Sequence, residues 1–158
     1  MPHHELRFAS SSARLGLALL IALGCASQRS AGPKTVRLGP CPDKPNCVSS
    51  LAPDEDHRVA PFLLTGSNPS WSAVRDAVAA MPRTKIVEEG QGYLHAECTS
   101  RIFRFVDDLE LLRSEAGDRV DVRSASRVGY GDWGVNRDRV ESLREALVAA
   151  GALSGAKP

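Results

Sequence analysis

The sequence is poor in aromatic residues and has almost no excess of either charge. Phe, Trp and Tyr make up 5% of its 158 residues, and 20 basic residues stand against 19 acidic ones, for a formal net charge of +1. Nucleic-acid-binding proteins usually carry a basic surface and aromatic side chains on which bases stack. We therefore expect no nucleic-acid partner.

The rest of the composition is typical of one globular domain. Charged residues make up 25% and hydrophobic residues 42%, a balance that argues against a wholly disordered chain. A chain of this length corresponds to about one domain and buries about two-thirds of its unfolded surface. We divide it into a leader (1–24), a linker (25–40), a single domain (41–151) and a tail (152–158).

The N-terminal segment predicts export. Arg7 and Arg14 precede a nine-residue apolar run at 15–23, and a small residue follows that run, which is the layout of a secretory signal peptide. Nine helical residues rise about 14 Å, too little to cross a hydrocarbon core of about 30 Å. We predict that residues 1–24 are a signal peptide rather than a membrane span.

The segment Ala22-Leu23-Gly24-Cys25 resembles the lipobox of bacterial lipoproteins, in which the cysteine becomes the acylated N-terminus. Ala22 stands where that family usually has Leu, and ordinary signal peptidase would cut the same bond. We expect Cys25 to be acylated, with palmitate among its acyl groups, and to anchor the protein in the cell envelope, facing the periplasm or the exterior. Several acyl chains hold a protein stably, so lipid rather than protein is expected to contact the membrane. A secreted or soluble periplasmic protein is the alternative.

Three cysteines remain for the exported domain. Cys41 and Cys47 enclose a seven-residue loop with two prolines, and an oxidising compartment favours a disulfide between them, worth roughly 2 kcal/mol of loop entropy. Reduced cysteines and other pairings are the alternatives. The C-x5-C spacing, with only His57 and His95 to complete a site, does not suit zinc, so we expect no metal. Cys98 lies in an alternating apolar run and is expected to be buried.

Apolar residues at helical spacing predict two helices. The first has Asn68 as its N-cap and ends before Pro82. The second has Asn136 as its N-cap and Gly151 at its C-terminus. Their apolar stripes are Trp71, Val74, Val78 and Met81, and Val140, Leu143, Leu147 and Ala150.

Between the helices, alternating residues predict strands at 84–89, 93–98, 102–112 and 120–127. Short turns at 90–92 and 117–118 leave no room for crossover helices, so the strands pair antiparallel. Residues 59–64 are a candidate for a further short strand. We predict an α+β fold, with an antiparallel sheet of about four strands and two helices packed on one face.

Polar residues gather where the last strand meets the last helix. The segment 129–134 matches G-x-G-x-x-G, but no later strand supplies the acid of a dinucleotide site. Arg127 at the end of the strand, with Asn136, Arg137 and Arg139 at the start of the helix, suits a phosphate, sulfate or carboxylate. The alternative, which we favour, is that these arginines pair with acids such as Asp132 and fasten the loop to the sheet.

The acidic counterpart is Asp107, Asp108 and Glu110. Strand alternation places Asp108 and Glu110 on one face, about 7 Å apart, and Asp107 on the other. Two such carboxylates suit the acid and base of a hydrolase. Cross-strand ion pairs with Arg123 and Arg127 are the alternative, and the one we favour.

Three blocks carry a family resemblance: CPDKPNCVSS at 41–50, FRFVDDLE at 103–110 and RSASRVGYGDWGVNR at 123–137. Over residues 38–150 the chain resembles the domain-of-unknown-function family 1499. The resemblance implies one compact envelope domain and no assigned activity. It marks candidate site residues Asn46, Cys47, Asp107, Asp108, Glu110, Arg123, Ser124, Ser126, Arg127, Asp132, Asn136 and Arg137.

These features together predict a lipid-anchored cell-envelope protein of unknown molecular function. We expect a non-enzymatic module: either a binding protein for a small anionic ligand or an envelope protein, or a scaffold whose Arg/Asp/Asn cluster holds the fold together. The alternative is a hydrolase that uses Asp108 and Glu110. No cofactor is expected.

Overall fold

Two short strands precede the first helix, and four longer strands lie between the two helices. In a computed structural model of the protein, which describes residues 36–65 and 68–153, the elements are β1 (Cys47–Ser49), β2 (Phe62–Leu63), α1 (Asn68–Ala80), β3 (Thr84–Gly90), β4 (Tyr93–Thr99), β5 (Val106–Arg113), β6 (Arg119–Ser126) and α2 (Val135–Ala149). The predicted signal peptide, Cys25 and most of the linker and tail lie outside the described residues.

The strands form one antiparallel sheet in the order β1-β6-β5-β4-β3, with β2 also beside β6. The predicted α+β class is confirmed, but the prediction of about four strands is wrong because the described sheet has six. The two additional strands pair with one edge of β6, Cys47 opposite Ala125 and Phe62 opposite Val120. β2 lies inside the candidate strand at 59–64, whereas the three residues of β1 are too few to show an alternating pattern.

The predicted start of β5 is also wrong. Residues 102–105 alternate like a strand in sequence, but β5 begins only at Val106. Arg104 has φ 58°, in the left-handed region that an extended strand does not use. Ile102 and Phe103 therefore lie in an exposed loop instead of in the sheet.

The core lies between the sheet and the two helices. The predicted stripes are confirmed: Val74 and Val78 of α1 and Val140, Leu143 and Leu147 of α2 are buried, with Trp71 and Met81 partly buried beside them. They pack against the inward residues of the strands, among them Leu94, Leu109, Leu111, Val120 and Val122. The prediction that Ala150 belongs to the buried stripe is wrong, because Ala150 caps the helix and is exposed. Buried residues extend to Leu38 and Leu153, so residues 36–153 hold a complete core of their own.

The start of α2 differs from the prediction. The N-cap is Gly134, with φ 85°, so Asn136 lies inside the first turn and is not the cap. The carboxylate of Asp132 accepts the N–H groups of Gly134 (3.0 Å) and Asn136 (2.8 Å), so a residue upstream of the helix satisfies its free donors. The predicted C-terminal Gly151 is confirmed, with φ 68° and its N–H bonded to the carbonyl of Val148.

The predicted disulfide is confirmed. Cys41 and Cys47 are bonded, with Cα atoms 5.6 Å apart. Cys98 is a buried free thiol, as predicted, and burial raises its pKa. No helix among the described residues is long and apolar enough to span a membrane.

Candidate functional site

The sheet separates the predicted site residues into two groups on opposite faces, because successive side chains of a strand alternate. Asp107, Ser124 and Ser126 point toward the helices, where Asp132 and Asn136 join them. Asp108, Glu110, Arg123 and Arg127 point to the other face. The predicted cluster is therefore two separate networks.

The inner network is centred on the amide of Asn136, which is completely buried. Its Nδ2 donates to Asp132 Oδ2 at 2.7 Å, to Ser126 Oγ at 2.9 Å and to the carbonyl oxygen of Asn46 at 3.0 Å. Asn46 also donates from its own Nδ2 to the carbonyl of Gly129 at 3.0 Å. The inner network thus joins the disulfide loop, β6 and the start of α2.

Arg139 connects this network to the middle of the sheet. Its Nη1 donates to Asn136 Oδ1 at 2.5 Å and to Ser124 Oγ at 2.8 Å. Its Nη2 lies 2.5 Å from Asp107 Oδ2, and both side chains of this ion pair are almost buried. The sequence pattern included Asp107 but gave no reason to place Arg139 opposite it.

On the outer face, the carboxylate of Asp108 lies within hydrogen-bond distance of two side chains, Arg127 and His95. Arg127 donates to it from Nε and Nη2, the latter at 2.7 Å, and His95 Nε2 lies 2.7 Å from the same Oδ1. Arg127 also pairs with Glu97 at 2.7 Å. Burial raises the pKa of Asp108, but the hydrogen bonds from Arg127 and His95 outweigh burial and leave the pKa below its ordinary value.

Glu110 is held in the same way. Arg123 Nη1 lies 2.7 Å from Glu110 Oε2, and the Tyr93 hydroxyl donates to Oε1 at 3.1 Å. Burial, followed by the charge of Glu110, raises the pKa of Tyr93. The cross-strand ion pairs favoured from the sequence are confirmed. Because Asp108 and Glu110 each face an arginine and the pKa of Asp108 is lowered, the geometry does not favour the acid and base of a hydrolase.

Arg137 fastens a different segment. It donates to the carbonyls of Arg58 at 2.8 Å and Asp56 at 2.7 Å. Beside it lies a cavity of about 490 Å³ whose lining includes Asp43, Asp56 and Asp132 together with Lys44, His57 and Arg137. Three acids balance three basic side chains there, so the cavity offers an anion no excess of positive charge.

A second cavity, of about 300 Å³, has a different character. It lies between two loops, which we call the aromatic loops. The first, residues 100–105, precedes β5. The second, residues 128–135, leads into the first turn of α2. Its apolar lining is Phe103, Phe105, Val128, Trp133 and Val135, and its polar lining includes Ser100, Asp107, Ser126 and Asp132. Two carboxylates line this aromatic cleft, and no Lys, Arg or His does.

The aromatic loops are unusually exposed for their composition. Four of the eight aromatic residues of the chain lie on them: Phe103, Phe105, Tyr130 and Trp133. Trp133 is 100% exposed, Phe103 73% and Tyr130 72%, and the rings of Phe103 and Phe105 stack at 5.6 Å. Exposed apolar patches of this kind mark binding surfaces.

Hydrogen bonds hold the first aromatic loop in shape. The N–H of Ser100 donates to the carbonyl of Phe105 at 2.8 Å, and the N–H of Phe105 donates to Ser100 Oγ at 2.9 Å. Trp133, like Arg104, has a positive φ, 55°. A bulky residue rarely adopts this conformation, so the surrounding loop fixes an exposed indole at some cost in free energy.

The sequence patterns considered above do not predict this cleft, although two signals for it are present. Tyr130 and Trp133 stand among glycines in a segment that connects a strand to a helix, and the run at 101–105 combines three apolar residues with two arginines. We assigned the first segment to a connection and the second to a strand. Within the described residues, no group of three or more His, Cys, Asp or Glu is placed to hold a metal ion.

The fold and these networks define the class of protein: a small α+β domain with a disulfide-closed N-terminal segment and an internally paired polar cluster. The chain belongs to the family described as protein of unknown function (DUF1499), whose model matches residues 37–147. This match confirms the resemblance carried by the three sequence blocks. No curated protein matches the chain.

Proposed function

We propose that the protein is a lipid-anchored envelope protein whose folded domain is a non-enzymatic binding module, with the aromatic cleft as its binding site. The lipobox-like segment that ends at Cys25 supports the anchor. The Cys41–Cys47 disulfide supports export, because such bonds persist in oxidising compartments. The polar networks then act as the scaffold that holds the cleft in place.

The single observation that carries the binding role is the exposure of half of the aromatic residues on the two loops that border one cleft, which Phe103, Phe105 and Trp133 line. Folding buries aromatic side chains unless another use keeps them at the surface. Ligand sites are concave, mostly apolar and carry a few polar groups that fix orientation. The aromatic cleft combines these properties.

The lining of the cleft indicates the chemistry of the ligand. Asp107 and Asp132 contribute carboxylates, Ser126 a hydroxyl, and basic side chains are absent from the lining. Asp107 uses Oδ2 for Arg139, and Oδ1 has no partner among the described hydrogen bonds. Aromatic faces and carboxylates together favour a cationic or donor-bearing group. The ligand would therefore combine an apolar body with an ammonium group or other hydrogen-bond donors.

The anionic ligand predicted from the arginines is less well supported. Arg123, Arg127 and Arg139 already pair with carboxylates, and Arg137 donates to two backbone carbonyls. An anion would have to displace these partners. We retain the anionic ligand as the alternative outcome of the binding test.

Three probes that share a ring and differ in charge test the proposal: benzylamine, benzyl alcohol and benzoate. Amide NMR titrations of the protein should show shifts at the aromatic loops, with benzylamine binding most tightly and benzoate least. Phe103→Ser should weaken benzylamine binding. Val148→Ser, an exposed apolar residue near the other end of α2, should leave binding unchanged.

Two results would contradict the proposal. Tighter binding of benzoate would indicate the anionic ligand instead, and no shift with any of the probes would leave the domain as a scaffold. The anchor is tested separately by the intact mass of the mature protein, which should show acyl groups that Cys25→Ser removes.

A further inference from the structure

The aromatic loops lie beside the segment that follows the N-terminal linker (25–40), which we call the tether. That segment is the disulfide loop 41–47, and Asn46 in it donates to the carbonyl of Gly129 at 3.0 Å. Pro45 lies against Gly131, within 3.8 Å of where a side chain would begin. The disulfide loop and the second aromatic loop are therefore in contact.

The tether is short. Fifteen residues separate Cys25 from Cys41, and a chain of that length spans at most about 55 Å in any conformation. An acyl group on Cys25 would keep the disulfide loop, and the aromatic loops next to it, within roughly that distance of the bilayer.

The exposed residues of the loops suit a membrane surface. Ile102, Phe103 and Trp133 present apolar and aromatic side chains, and Trp and Tyr favour the boundary between lipid and water. Arg101 and Arg104 are exposed in the same loop as Ile102 and Phe103 and form no ion pair with any residue that the structure describes. Unpaired arginines beside aromatic side chains complement anionic headgroups.

We propose that the aromatic loops form a membrane-docking surface that rests on an anionic phospholipid bilayer beside the acyl anchor. The expectation that lipid alone contacts the membrane is thereby replaced by two contacts, one lipid and one protein. The inference extends the proposed function, because the ligand of the aromatic cleft would then reach it from the bilayer. Docking would also fix the orientation of the domain on its tether.

The test replaces the acyl anchor, so that it does not depend on lipidation. Residues 36–158, which include the complete core described above, carry an N-terminal hexahistidine tag and are bound to vesicles that contain a nickel-chelating lipid, phosphatidylglycerol and phosphatidylcholine. Trp71→Phe leaves Trp133 as the only tryptophan. Docking predicts a blue-shifted Trp133 emission that brominated phosphatidylcholine in the bilayer quenches.

Matched variants show which side chains the quenching of Trp133 depends on. Phe103→Ser with Ile102→Ser should reduce the quenching, whereas Val148→Ser should not. Arg101→Gln with Arg104→Gln should reduce it on vesicles with phosphatidylglycerol and leave it unchanged where phosphatidylcholine replaces phosphatidylglycerol beside the nickel-chelating lipid. Trp133→Phe, which keeps Trp71 against the core, should show little quenching.

Unchanged Trp133 emission on tethered vesicles would overturn the docking proposal, and so would equal quenching of Trp71 and Trp133. Circular dichroism of each variant excludes unfolding as the cause. Failure of docking would leave the benzylamine titration and the intact mass to decide the proposed function independently. Conversely, an unacylated Cys25 would leave the vesicle result standing.

Discussion

Arg139 Nη2 lies 2.5 Å from the nearly buried carboxylate of Asp107, so the start of α2 is attached to the start of β5 by an ion pair. The same guanidinium also donates to Asn136 and Ser124. The guanidinium of Arg139 therefore binds both the Asp107 carboxylate, which lines the aromatic cleft, and the Asn136 amide, which is at the centre of the inner network. Removing it should affect the stability of the domain more than any exposed pair does.

We expect Arg139→Met to lower the free energy of unfolding by about 3 kcal/mol, because it leaves Asp107 buried without its counterion. Urea unfolding at neutral pH measures the loss. Arg75→Met is the control: Arg75 pairs with Glu89 at the surface, where solvent screens the charges, so its loss should be small beside that of Arg139→Met. Equal losses for the two variants would contradict this account.

Asn136→Asp keeps the shape of the side chain and changes its hydrogen bonding and its charge. It replaces the donor that faces Asp132 Oδ2 and the Asn46 carbonyl with an acceptor that carries charge. We expect a loss of roughly 3 kcal/mol at neutral pH, measured by urea unfolding. Asp138→Asn, on the exposed side of the same turn, should change stability by less than about 1 kcal/mol. An Asn136→Asp protein as stable as the unsubstituted one would contradict the role of the amide.

The features that could be predicted from the sequence are those that depend on the spacing of nearby residues along the chain. Alternation placed Asp108 and Glu110 opposite Arg123 and Arg127, and the ion pairs formed as expected. Helical spacing identified the buried stripes, and the short loop between Cys41 and Cys47 identified the disulfide.

The features that could not be predicted depend on contacts between distant segments. Asn136 looks like an N-cap by its type and position, yet the turn at Gly134 places it inside the helix, where Asn46, ninety residues away, accepts its hydrogen bond. The aromatic cleft needs two loops that only the folded sheet brings together. The positive φ of Arg104 keeps residues 102–105 out of β5. An arginine gives no sign in the sequence that its backbone will adopt this conformation.

The disulfide should stabilise the domain through its closed loop. In the loop-entropy model, seven residues correspond to roughly 2 kcal/mol, so Cys41→Ser with Cys47→Ser should lower the free energy of unfolding by about that amount. Dithiothreitol should lower the stability of the unsubstituted protein equally and leave the double variant unaffected. If the reduced and oxidised proteins unfold at the same urea concentration, the loop contributes nothing.

His57 links the disulfide loop to the turn at 54–58. Its Nδ1 lies 2.6 Å from Asp54 Oδ1, and its Nε2 lies 3.0 Å from the carbonyl oxygen of Lys44. Both partners accept hydrogen bonds, so the doubly protonated ring satisfies both at once. The bond to the Lys44 carbonyl, and then the bond to Asp54, raise the pKa of His57. Hydrogen bonds from His57, first from its backbone N–H, lower the pKa of Asp54.

These shifts predict how stability depends on pH. A raised His57 pKa contributes stability that is fully present below the unfolded value of about 6.5 and is lost as pH rises through the folded pKa. The stability difference between the unsubstituted protein and His57→Gln should therefore be largest in mildly acidic solution and shrink at alkaline pH. NMR titration should place the pKa of His57 above about 6.5, and Asp54→Asn should lower it more than Asp56→Asn does, because Asp56 acts only through its charge. A His57 that titrates at its ordinary value would show that the ring does not hold the two segments together.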